Sequence, residues 1–133
     1  MKTFLYCTIA SAILLCSCHE SIEKRAQCEA REYTEKNCPT PVLNYMCTDS
    51  VVFETNTRTY HYYLSVMNDL DDAKIFELNR KLIVDNFIKQ VDESTSLRAY
   101  KQEGFNFAWT LRSGKDPKVT YYEKVYTPKE YNK

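Results

Sequence analysis

Phe105-Asn106-Phe107-Ala108-Trp109-Thr110-Leu111-Arg112 alternates large apolar side chains with smaller or polar ones. Successive side chains of a strand point to opposite faces. A period of two therefore puts Phe105, Phe107, Trp109 and Leu111 on one side of a sheet and Asn106, Ala108, Thr110 and Arg112 on the other. Ser113-Gly114-Lys115-Asp116 follows and is rich in turn formers. Residues 118–126 then read as the returning strand, with Val119, Tyr121 and Val125 expected on one face and Tyr122, Lys124 and Tyr126 on the other.

Upstream lies a second hairpin of the same kind. Residues 47–54 and 58–66 read as strands, joined by the polar turn Thr55-Asn56-Thr57. Tyr60, Tyr62, Leu64 and Val66 share one face; His61, Tyr63 and Ser65 take the other.

Between the hairpins the period changes to that of a helix. Asn68-Asp69-Leu70-Asp71-Asp72 places acids at the positive end of a helix dipole. The residues up to about 91 carry an apolar stripe of Ala73, Phe76, Ile83, Phe87 and Val91, flanked by Ile75, Leu78 and Leu82. That wide face is expected to carry most of the core. Residues 97–103 read as one or two further turns, stopped by Gly104 at the position after the cap.

An earlier helix is expected over residues 21–37, with Ile22, Ala26, Ala30 and Tyr33 on one narrow face. It stops at Asn37-Cys38-Pro39, because the residue before proline is pushed out of the α region. Residues 43–46 form a short apolar connector, and Thr127-Pro128 resembles a helix start with proline at its first position. The order is α-ββ-α-ββ. The expected fold class is α+β: a four-stranded antiparallel sheet with two helices packed on one face.

The charge balance bears on partners. The chain has 18 basic and 18 acidic residues, so no basic face is available for counterion release and no nucleic acid partner is expected. Its 2 Gly leave no phosphate cradle. The two His, His19 and His61, stand in no spaced ligand or nucleophile motif. Asp69, Asp71 and Asp72 lack the glycine and the terminal Glu of a calcium loop. No catalytic residue and no metal are assigned, and the chain is not read as an enzyme. An enzyme would need a pocket gathering His61 with an acid such as Asp49 or Glu123.

What remains for function is the second sheet face. His61, Tyr63, Arg112, Tyr122, Lys124 and Tyr126 are expected there, and Tyr and Arg are enriched at binding hot spots. The expected function is a non-catalytic protein-binding module. The alternative is a carbohydrate- or small-ligand-binding surface, with rings stacking on sugars.

The start of the chain reads as an address. Lys2 precedes an uncharged apolar run over residues 4–15. A membrane-spanning helix needs about 20 residues, so the run suits the core of a cleaved signal peptide instead. It ends in Leu15-Cys16-Ser17-Cys18, which resembles a bacterial lipobox: a branched apolar residue, a variable one, a small one, then Cys. The resemblance covers the first 18 residues. It implies a lipoprotein cut before Cys18, with a covalent diacylglyceryl group on that thiol and no other cofactor. The implied organisation is a signal peptide over 1–17, a lipid-anchored tether over 18–22 and one α+β domain over 23–133. Removing 17 of 133 residues leaves 116, enough for one modest core. His19 rather than Asp follows the anchor, which resembles outer-membrane sorting in enterobacteria-like systems. Glu20 and Glu23 are a diluted form of the acidic surface tag of Bacteroidota-like lipoproteins. Small lipoproteins of this kind act as accessory, inhibitor or immunity proteins, so a membrane anchor and a protein partner are expected together.

Of 6 Cys, Cys7 and Cys16 leave with the leader and Cys18 takes the lipid. Cys28, Cys38 and Cys47 remain, in a compartment that permits disulfides. On a continuous helix Cys28 and Cys38 lie about 15 Å apart, beyond the roughly 7 Å reach of a disulfide. The expected bridge is Cys38–Cys47, with Cys28 either a free thiol or the alternative partner of Cys47. The spacing lacks the close Cys pair of a structural zinc site.

Overall fold

The computed structural model describes residues 21–133. The expected signal peptide, the anchor Cys18 and most of the tether lie outside them. The elements are α1 (Ile22–Asn37), β1 (Met46–Glu54), β2 (Thr59–Val66), a 3-10 turn (Asn68–Leu70), α2 (Ala73–Glu93), α3 (Arg98–Gln102), β3 (Asn106–Ser113), β4 (Thr120–Tyr126) and α4 (Pro128–Tyr131). No described helix is long and apolar enough to cross a membrane.

Local chemistry sets the ends. Ser21 Oγ accepts from Lys24 N at 3.2 Å and starts α1. Asp72 Oδ1 accepts from Lys74 N and Ile75 N at 2.9 and 3.1 Å and starts α2. Gly104 takes φ +75 just after α3, a conformation open to glycine at little cost.

The α+β class and the α-ββ-α-ββ order hold, and the helices pack on one four-stranded sheet. Its strand order is β1-β2-β3-β4. The pairing differs at the centre. Each hairpin is antiparallel, but β2 and β3 run parallel, so the sheet is mixed. The reason is the connection. Parallel neighbours need a long crossover, and α2 with α3 supplies it. The register pairs Tyr60 with Phe107, Tyr62 with Trp109 and Leu64 with Leu111. One aromatic floor results, and both long helices lie over it.

α1 covers β1 through Ala26 and Ala30, which are fully buried. It also closes the outer edge of β1. Thr34 Oγ1 accepts from Val51 N at 2.9 Å and shares its one proton between Val51 O and Ala30 O, each at 2.9 Å. A side chain thus occupies backbone groups that would otherwise template a further strand. From α2, Phe76, Ile83, Phe87 and Val91 enter the core as expected. The flanking stripe does not. Ile75, Leu78 and Leu82 are exposed, and so is Tyr33 of α1. A helix meets a sheet along one stripe, and a second stripe turned away from it finds no partner in this fold.

β4 departs most from expectation. Its register with β3 shifts between Leu111 and Arg112, passing over Tyr121. Leu111 pairs with Tyr122, Trp109 with Lys124 and Phe107 with Tyr126. Directly opposed residues share a face, so Tyr122, Lys124 and Tyr126 stand on the helix side. Val119 and Val125 are exposed instead. One extra residue in an edge strand reverses the faces beyond it.

Candidate functional site

The open sheet face keeps three of the six expected residues: His61, Tyr63 and Arg112. His61 Nδ1 lies 2.5 Å from Glu54 Oε1, and its Nε2 lies 2.7 Å from Thr110 Oγ1. The Thr110 hydroxyl donates to Glu123 Oε1 at 2.9 Å. The Tyr63 hydroxyl donates to Glu54 Oε1 at 3.3 Å, and its ring stacks on His61 with centroids 4.1 Å apart. Burial, followed by the Glu54 carboxylate, pushes the Tyr63 hydroxyl up from its ordinary pKa. The Arg112 guanidinium lies over the Tyr63 ring, 5.5 Å from its centroid.

This is a closed network. Both His61 nitrogens are committed, so neither is free for a substrate proton or a metal. Asp49 is elsewhere, accepting from Ser65 Oγ at 2.6 Å. The chain thus joins His61 to Glu123 through Thr110 but not to Asp49. Glu54 and Thr110, the latter almost fully buried, are the members that sequence reasoning missed. For Thr110 the available signal was its place on the same face as Arg112 in the alternation.

The other three expected residues serve the helix side. Arg80 lies over the Tyr122 ring at 5.1 Å. Lys124 Nζ contacts Glu130 Oε1 at 2.8 Å. Tyr126 is buried and donates to Asp92 Oδ1 at 2.8 Å. The expected Cys38–Cys47 bridge is absent: Cys28, Cys38 and Cys47 are all free thiols. Thr40 N to Thr48 O at 3.0 Å and Thr48 N to Thr40 Oγ1 at 2.9 Å hold that loop to β1 instead. Burial, followed by the Asp49 carboxylate, pushes the Cys38 and Cys47 thiols up from their ordinary range.

The accessible apolar surface lies on the other side of the molecule. A groove of about 530 Å³ runs between α2 and residues 44–46, with Tyr45, Ile75, Asn79, Leu82 and Asn86 in its lining and Asp69 as its single charge. Of ten large apolar side chains exposed among the described residues, three line this groove: Tyr45, Ile75 and Leu82. Val42 and Leu43 precede the turn, and Leu78 belongs to α2 between Ile75 and Leu82; all three are exposed outside the lining. Leu43 is 74% exposed and Leu78 87%.

The loop wall is built stiffly. Asn44 and Tyr45 have φ 52 and 61, a two-residue turn with both residues left-handed. It is closed by Leu43 N to Met46 O at 2.8 Å and Met46 N to Leu43 O at 3.1 Å. Tyr45 O also accepts from Met67 N at 2.8 Å. A left-handed Tyr is disfavoured and holds only where its surroundings fix it. A second cavity of about 310 Å³ adjoins the groove at Phe87 and Gln90, which line both.

The model of a family described as "Domain of unknown function (DUF8479)" matches residues 21–122. No curated protein matches the chain. Two solved structures share the fold. A candidate secreted protein of Pseudomonas aeruginosa superposes with a TM-score of 0.68 at 14% identity, covering 85% of this chain and 99% of its own. The pilotin EpsS of the Vibrio vulnificus type 2 secretion system superposes with a TM-score of 0.61 at 13% identity, covering 82% of this chain and 90% of its own.

Proposed function

The chain belongs to the DUF8479 family, and we propose that it is a non-catalytic, protein-binding accessory module of the cell envelope that docks its partner in the groove along α2. The carrying observation is the gathering of exposed apolar side chains on the two walls of one groove. Scattered surface leucines are ordinary; a contiguous patch rimmed by polar groups marks an interaction site. The fold neighbours support the envelope setting, since one is a candidate secreted protein and the other a pilotin from a secretion system. The lipobox-like start supports a lipid anchor on Cys18.

The position of the groove favours a protein over the bilayer as its occupant. α1 begins beside the β1–β2 turn, where Glu23 pairs with Arg58 at 3.3 Å. Tyr45 lies at the other end of β2, bonded to Met67. At about 3.3 Å per residue, the strand separates these ends by roughly 25 Å. A short tether before Ile22 holds the β1–β2 turn near the membrane and turns the groove away from it. Amide side chains (Asn44, Asn79, Asn86 and Gln90) alternate with the aliphatic ones. Each amide both donates and accepts, which suits the main chain of an uncharged peptide segment.

The test places a photo-reactive benzophenone side chain at Leu82, or at the outward-facing Lys81 as control, in the full chain in its own cells. The expected result is one protein adduct from Leu82, none from Lys81, and loss of the Leu82 adduct in a Leu78→Asp background. Adducts to lipid alone, to a second copy alone, or equally from both positions would overturn the reading.

A further inference from the structure

The two halves of the groove differ in chemistry. Beyond Phe87 and Gln90 the floor is the cross-strand pair Tyr62 and Trp109, their rings 16° from parallel with centroids 6.5 Å apart. Phe87 stacks on Trp109 at 5.4 Å and 14°. Leu64, Val91 and Leu97 form apolar walls, and Ser94 and Ser96 stand at the rim, their hydroxyls 2.9 Å apart. No acidic, basic or histidine side chain lines the cavity. The Tyr62 ring forms part of the floor, yet its hydroxyl joins no hydrogen bond among the described residues. Burial, followed by the neighbouring Tyr60, pushes that hydroxyl above its ordinary pKa.

These features select an occupant. A lining without charge cannot repay the desolvation of a carboxylate, ammonium, phosphate or zwitterion. A sugar ring carries hydroxyls around its whole rim; Tyr33, Thr48, Gln90 and the rim serines can partner some of them, but those against Leu64, Val91 and Leu97 would lose water and gain nothing. A flat aromatic ring matches a floor of near-parallel rings. One polar tip on that ring matches the unpartnered Tyr62 hydroxyl and the rim serines. A volume of about 310 Å³ lies at the small end of ligand pockets, the scale of one side chain rather than a large cofactor.

We infer that this cavity is a specificity pocket for a single aromatic side chain with a polar tip, Tyr or Trp, carried by the segment that docks along α2. The source of the ring rests on the docking reading above, because Phe87 and Gln90 line both halves. The preference for such a ring does not. The aliphatic half then takes the aliphatic side chains of the segment, and the aromatic half fixes its register and direction.

The chain holds one Trp, so its indole N–H gives a single reporter signal in an NMR spectrum of the labelled full chain in detergent. The probes are N-acetyl-L-tyrosinamide, free L-tyrosine, N-acetyl-L-leucinamide and methyl glucoside. The expected result is saturable movement of the Trp109 indole signal and of the Gln90, Ser94 and Ser96 amides with the capped tyrosine alone. Tyr62→Phe should weaken that binding by about two- to tenfold, the worth of one hydrogen bond, without lowering the melting temperature. No movement with capped tyrosine, or equal movement with capped leucine or the glucoside, would overturn the pocket assignment. Free tyrosine binding as well as the capped form would overturn the assignment to a peptide segment. Intact Leu82 adducts with silent NMR probes would sink this inference alone; lost adducts with responsive probes would sink the docking reading alone.

Discussion

Asp71 shows how much one side chain can join. It is buried between the start of α2 and the far hairpin. Its carboxylate accepts from Lys115 N at 2.9 Å and from the Tyr121 hydroxyl at 2.8 Å. Burial alone would raise its pKa, but bonds from Ser113, Tyr121 and Lys115 N, with the Lys115 charge, outweigh it and hold the carboxyl below its ordinary range. A depressed carboxylate stabilises the fold above its unfolded pKa and loses that contribution as pH falls through the folded value. Asp71→Asn should therefore cost about 1–3 kcal/mol at pH 7, with the gap to wild type narrowing in acid. Urea unfolding at neutral and acid pH measures this, and a gap independent of pH would reject the charge-based account. In the sequence Asp71 reads as one of several acids at a helix start. Nothing local distinguishes it from Asp72, which is the actual cap, because its partners lie 44 and 50 residues away.

At the scale of elements, α1 acts as a cover for an edge. Thr34 is the contact that matters, since its hydroxyl serves both backbone groups of Val51. Thr34→Val keeps the shape but leaves that N–H and C=O unpaired, at an expected cost of about 1–3 kcal/mol. Thr34→Ser should be close to neutral. Thermal melts of the two variants decide it: equal loss in both would assign the effect to packing rather than to the edge bonds. The elements themselves were legible, because each carries its own period: 3.6 in α2, two in β2 and β3. Which of two apolar stripes on α2 is buried was not legible. Ile75, Leu78 and Leu82 are as apolar as Phe76, Ile83 and Phe87, and only the position of the sheet selects between them. The faces of β4 were lost for a related reason. Alternation assumes an unbroken ladder, and the irregularity at Tyr121 depends on how β3 and β4 meet.

For the whole molecule, the proposed anchor on Cys18 would set which end of the groove looks away from the membrane. Cys18→Ser has no thiol to receive a diacylglyceryl group and should move the protein from the detergent phase to the soluble or unprocessed fraction. Its melting transition should not change, because Cys18 lies outside every apolar stripe of the sequence. A Cys18→Ser protein that loses its leader and still stays in the detergent phase would remove the lipid anchor from the account. The sequence by itself determined the element types, their order and the α+β class, because periodicity and capping residues are properties of neighbouring residues. Only the tertiary structure decided that β2 and β3 run parallel, that His61 is held between Glu54 and Thr110, and that half of the expected binding face belongs to the helix side. It also decided that Ile75 and Leu82 of α2 line a groove with the left-handed turn at Tyr45. Each of these rests on contacts between residues far apart in the chain, formed when α2 crosses from one hairpin to the next.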